Sequence, residues 1–297
     1  MVKLGEERTA LAAFAAMSIL AGGNGVAIRF SNRELAPLWG AALRFSLAAA
    51  LLAVAMVVLR LHLPAGRALG GAVLYGTFGI GGAFALAYYG LVEIHAGLGQ
   101  TLLALVPLAT LFLAVLQRQE ALRAGALWGG LLALAGIAVM SNTTLRADVP
   151  LLSFLALVGS AFCFAQAAVV VRRFPPVHPI TMNAVGMATG ALLLLAGSVM
   201  ARERFELPDR PSTWFAVAYL VPIGSVLVFV LYLVVLRYWT ASRASFEFVL
   251  IPVVTVALSA WLDDEALTAE LLAGGVLVLA GVYVGALRRS PSDTIPT

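Results

Sequence analysis

The chain has 297 residues, of which 62% are hydrophobic and 11% charged, and its formal net charge is +4. A water-soluble domain needs roughly 25% charged residues to cover its surface, so lipid rather than water must surround most of this chain. A single lysine, Lys3, and arginines scattered one or two at a time exclude a nucleic-acid-binding face, and the lone Cys163 excludes an intrachain disulfide or a cysteine-metal cluster.

A bilayer crossing takes about 20 mainly apolar residues. Between its polar breaks the chain offers ten such runs, near 9–28, 37–59, 68–91, 96–116, 123–141, 150–171, 179–200, 212–236, 244–262 and 268–287. The first contains Asn24, and the small residues of "ILAGG" also suit a cleaved signal peptide; it is read as a span because the repeat below requires it. The second carries Arg44 about two turns in. The third, "YGTFGIGGAF", gathers Gly76, Gly79, Gly81 and Gly82 beside Tyr75 and Phe78, with Tyr88 further on. Such a run lets backbones approach closely and weakens the helix locally, so it predicts tight packing or, alternatively, a flexing point. The fourth run holds Gln100, Thr101 and Pro107, the sixth Phe162 and Gln166, the eighth Tyr232, and the ninth Glu247 and Pro252. The tail 290–297, "SPSDTIPT", is expected to be disordered.

Residues 101–140 slide onto 246–285 with 16 of 40 positions identical. Pro107 falls on Pro252, Glu120 on Glu265, and Gly129-Gly130 on Gly274-Gly275. Upstream, "RFSNRELAP" (29–37) echoes "RFPPVHP" (173–179). Two halves of five spans follow, 1–145 and 146–289. Because five is odd, the second half enters the membrane from the opposite side, giving an inverted repeat around a central cavity. With the N-terminus inside, the inner segments carry twelve basic residues and the outer six, while the acidic residues of the breaks gather outside. By the positive-inside rule both termini are cytoplasmic. The turn "QRQEALR" is then internal and its copy "LDDEAL" external, which explains their opposite charge. Inverted repeats are a hallmark of secondary transporters, in which two halves trade conformations about a fixed site.

The segment "YYGLVEIHAGLGQTLLALVPLATLFLAVLQRQEAL", with the Gly-Gly helix that follows it, resembles the EamA domain of the drug/metabolite transporter superfamily. The segment beginning "YLVVLRYWTASRASFEFVLIPVVTVALSAW" resembles the same domain again. Within the superfamily the chain is similar to the YddG-type amino-acid exporters. The resemblance implies an all-helical bacterial inner-membrane transporter of ten spans, with the cargo pathway between the halves. It also implies that the first, fourth, sixth and ninth helices line that pathway. Asn24, Gln100 and Gln166 stand out for that reason, with Thr101 beside them.

Proline frees the carbonyl four residues earlier, here that of Leu103 before Pro107 and of Phe248 before Pro252. Free backbone suits a cavity wall, and the alternative is a packing kink. Two ionisable groups lie within spans, where charge is expensive. Arg44 either holds a substrate carboxylate or snorkels outward to pair with Glu34. Glu247 stands four residues after Arg243, a spacing that predicts an ion pair; otherwise it is a carboxylate that meets a substrate ammonium or a proton. Tyr75, Phe78, Tyr88, Phe162 and Tyr232 suit the walls of a pathway for an apolar cargo with a polar handle, or plain packing. No His-Glu-x-x-His, Walker lysine or in-span lysine occurs, so no enzyme, metal or cofactor is expected. The expected partners are a small-molecule substrate, an amino acid or similar metabolite, and the bilayer; one chain can build a whole pathway.

Overall fold

The computed structural model describes residues 4–91, 102–140, 150–262 and 268–287. Gln100, Thr101, the 290–297 tail and the second copy of the Glu-Ala-Leu turn, at 265–267, lie outside them. Each of the ten apolar runs forms helix among the described residues, and no strand occurs among these. Five helices are long and apolar enough to cross a membrane on their own measure: Pro37–Val58, Gly66–Gly90, Leu151–Arg173, Pro179–Met200 and Pro211–Tyr238. The first helix, Leu4–Ser31, is longer still but opens on Glu6 and Glu7. Val106–Leu116 and Ala124–Met140 are shorter apolar helices. Ordinals below follow the ten runs.

Proline starts the second, seventh and eighth helices, where its missing N–H costs nothing. The second, fourth and seventh end on arginines in the left-handed region, Arg60, Arg118 and Arg202. Each is followed by the paired backbone bonds of a Schellman turn, as in Leu61 N–H to the Met56 carbonyl at 2.8 Å. The turns aim the acids beyond them. Glu203 accepts from Leu38 N–H (3.1 Å) and Trp39 N–H (2.7 Å), free donors of the second helix's first turn. Glu120, two residues past Arg118, accepts from Ser242 N–H at 3.1 Å and from the Ser242 hydroxyl.

The main contacts between the halves come in exchanged pairs. The third helix packs on the sixth and seventh, the eighth on the first and second; the fourth packs on the sixth, the ninth on the first. The fifth and tenth pack on each other through the repeated glycines. A Cβ on Gly129 would stand 2.6 Å from the Gly281 carbonyl oxygen, and one on Gly136 2.7 Å from that of Gly274. The two helices therefore run antiparallel at backbone contact. Lipid gives helices no hydrophobic reason to associate, so close approach of small residues does so.

The glycine run of the third helix is π-helical at Thr77–Gly82, and the eighth is π-helical at Leu220–Leu227. Shifted by the repeat, residues 77–82 become 222–227, so the two wide turns occupy equivalent places. Pro107 opens the described part of the fourth helix, Val106–Leu116. The ninth is broken: Ala241–Ala244 and Glu247–Leu262 are separate helices with a turn at Ser245 and Phe246.

Candidate functional site

The halves enclose a cavity of about 390 Å³ lined from both copies. Its wall is mostly apolar, and Arg44 and Glu247 both line it.

Arg44 is 4% exposed. It does not snorkel to Glu34, whose carboxylate is taken by Arg210 at 3.3 Å. Instead its Nε donates to the Ser225 hydroxyl (2.6 Å) and its Nη2 to the Gly224 carbonyl (2.9 Å). Both acceptors belong to the π-helical turn of the eighth helix. Asn24 Nδ2 donates to the same Gly224 carbonyl at 3.1 Å, and Asn24 Oδ1 is buried without a partner among the described residues.

Glu247 is 6% exposed, and its Oε2 is buried with no hydrogen-bond partner among the described residues. The expected pair with Arg243 does not form. The turn at Ser245 and Phe246 interrupts the helix between them, so i,i+4 spacing no longer means a shared face. Arg243 pairs instead with Glu7 (2.6 Å), donates to the Ala286 carbonyl, and lies 3.9 Å over the Trp239 ring.

An aromatic wall joins the two charges. The Arg44 guanidinium lies 5.9 Å from the Phe84 ring centre, Phe84 is 5.5 Å from Phe164, and Phe164 is 4.8 Å from Phe248, the neighbour of Glu247. Tyr75 and Tyr232 also line the cavity, and the Tyr75 hydroxyl donates to Asn183 Oδ1 at 3.1 Å. At the end of the bundle read above as cytoplasmic, Trp239 is fully buried, stacked 5.1 Å from Phe14, beside the Glu120–Ser242 and Arg243–Glu7 contacts. Met140 and Leu103, near the opposite ends of their helices, line the cavity too, so it reaches away from that closure.

The structure thus brings together Asn24, Arg44, Tyr75, Tyr232, Glu247 and Pro252, while Leu103 and Phe248, each four residues before a matched proline, line the same space. Other expected residues lie elsewhere. Gln166 accepts from Gln117 Nε2 at 2.8 Å, a tie between helices. Phe162 is 40% exposed on the outside of the bundle. Phe78 and Tyr88 are half-buried in packing, and Pro107 is buried outside the lining. Sequence reasoning missed Phe84, Phe229, Ile251 and Thr255, and pointed to Phe248 only for its carbonyl. Ile251 and Thr255 follow Glu247 by four and by eight, and Ile28 follows Asn24 by four, so one stripe per helix drawn through the polar residue would have found these three.

The pattern of the EamA-like transporter family matches residues 8–142 and 151–286. The chain is 30% identical over 276 residues to the "Uncharacterized inner membrane transporter YedA" of Escherichia coli K12, covering 91% of this chain and 88% of that one. It is 26% identical over 273 residues to the "Probable amino-acid metabolite efflux pump" of Salmonella typhimurium, covering 88% and 89%. A solved crystal structure superposes with a TM-score of 0.79 at 20% identity, covering 94% of this chain and 98% of the other; at that identity it speaks for the fold. With two matches that together take in nearly its whole length, the chain belongs to the EamA-like transporter family, whose members are multi-pass membrane transporters.

Proposed function

We propose that this transporter moves amino acids, apolar and aromatic ones included, or similar small metabolites across a bacterial inner membrane by alternating access between two inverted five-helix repeats. The observation that carries the reading is the cavity: one cation and one carboxylate, each without a counter-charge among the described residues, set on an aromatic wall that both halves supply. Pockets of that kind bind amphiphiles and fix them by a few polar groups. The reciprocal contacts and the antiparallel fifth and tenth helices support an inverted arrangement, in which exchanging the conformations of the halves gives a second state of similar energy. The closure around Trp239 supports an outward-facing state. The bias of basic residues supports cytoplasmic termini, and the printed name of the Salmonella relative supports an amino-acid cargo.

Glu247 favours a second reading, proton-coupled export, since an unpaired carboxylate in the cavity can exchange a proton for cargo. Both are tested by uptake of radiolabelled amino acids into liposomes holding the purified protein, with and without an imposed pH gradient. Concentration-driven uptake indifferent to pH supports a facilitator. Accumulation only under the gradient supports coupling at Glu247, and no uptake of any amino acid overturns the cargo class.

A further inference from the structure

We propose that Arg44 is the specificity-determining residue of the cavity, binding a carboxylate of the cargo while the apolar remainder lies along Phe84, Phe164 and Phe248. This rests on the transporter reading and names the chemistry its site selects.

A guanidinium has five N–H donors. Two are occupied, Nε by Ser225 and one on Nη2 by Gly224. Nη1 makes no hydrogen bond within the described residues, and no acid among them lies within ion-pair distance of Arg44. The two acids that meet the outset of Arg44's helix and the loop before it are committed: Glu34 to Arg210, and Glu203 to the Leu38 and Trp39 N–H groups. The two occupied donors and the Phe45 ring, 5.0 Å from the guanidinium carbon, hold the group in one orientation. Asn24 shares the Gly224 carbonyl and braces it from the first helix. A fixed guanidinium with unused N–H groups on a cavity wall is complementary to a planar, bidentate oxyanion.

The fold itself does not require this arginine. The second and seventh helices each open on proline and run 22 residues. Arg44 is the eighth residue of one, and Gly186 is the eighth of the other. Gly186 solves its crossing by backbone contact with Gly76. A duplicated scaffold therefore carries a charge at one copy only, as expected of a group that serves an asymmetric cargo. With a single arginine and apolar walls, a monocarboxylate suits the site better than a phosphate dianion.

The test uses the full chain in liposomes. Uptake of radiolabelled phenylalanine is competed with unlabelled phenylalanine, its methyl ester, or phenyl phosphate. The acid is expected to compete better than the ester by on the order of 30-fold, the worth of a charge-assisted bidentate contact. In Arg44→Gln that ratio collapses towards unity, and Arg44→Lys keeps part of it. A ratio is independent of how much protein is folded, so a purely structural role would lower uptake and leave the ratio intact. An unchanged ratio in Arg44→Gln, equal competition by acid and ester in the wild type, or stronger competition by phenyl phosphate overturns the proposal. If no amino acid is taken up, melting of the detergent-solubilised protein with 3-phenylpropanoate and with its methyl ester decides separately. Stabilisation by the acid alone, lost in Arg44→Gln, upholds Arg44 while the amino-acid reading falls; no shift with either compound refutes both.

Discussion

Gly274 and Gly275 are neighbours in the tenth helix, and alanine should act on them in opposite directions. A Cβ on Gly274 would stand 2.5 Å from the Gly136 carbonyl oxygen and 3.0 Å from Met140 N. Both are backbone atoms of the fifth helix, so no side chain can turn aside. The crossing must open by several tenths of an ångström, and overpacking of that kind costs about 1–3 kcal/mol. A Cβ on Gly275 meets no described atom within 4 Å. There alanine only gains helix propensity, about 0.5–1 kcal/mol. The propensity gain is common to both sites, so the obstructed crossing alone should separate the variants by about 1–3 kcal/mol. Gly130→Ala should fall between them, because its obstacle is the tip of Leu108, which can rotate. Thermal unfolding in detergent, followed by tryptophan fluorescence, measures all three. Equal shifts for the adjacent pair, or a more stable Gly274→Ala, would refute the close crossing and with it the antiparallel pairing of the repeated helices.

Arg243→Ala removes the Glu7 ion pair, the Ala286 carbonyl bond and the Trp239 stack, and is expected to cost about 3 kcal/mol. Glu247→Gln breaks no pair and should melt within about 0.5 kcal/mol of the parent; a loss matching that of Arg243→Ala would mean the two residues do interact. Gln166→Ala gives up one neutral hydrogen bond, about 1 kcal/mol, and should leave uptake into liposomes unchanged. A several-fold loss of uptake with normal melting would put Gln166 in the pathway. Arg118→Gly relieves a left-handed non-glycine residue with φ of 58° and should stabilise the chain by about 1 kcal/mol; lower melting would show that the side chain contributes more than the strain costs.

The helical architecture was legible because lipid leaves the chain so few options: long apolar runs must be helices. The repeat was legible because Pro107, Gly129 and Gly136 recur at fixed spacing. The partners of Arg44 and Glu247 were not. Arg44 turns inward because a π-helical turn 180 residues away offers it Gly224, and no local spacing encodes that. Glu247 loses Arg243 because a two-residue turn, Ser245 and Phe246, intervenes within a run that reads as one helix. Gln166 and Phe162 lie in a pathway-type helix yet away from the cavity, since membership of a helix does not say which face is turned inward.

A π turn holds more backbone than the α turn it replaces. Thr77–Gly82 and Leu220–Leu227 carry that surplus at the same point of the third and eighth helices. Two unrelated insertions landing on one position would be an extravagant history. A single insertion in an ancestral five-helix protein, copied when its gene doubled, accounts for both. Removing the extra residue from one copy would turn everything beyond it by about 100° about the helix axis, carrying Phe84 in the one case or Tyr232 in the other off the cavity wall. The surplus residue has thus outlived the divergence of most of the sequence around it, as an heirloom that neither half can discard alone.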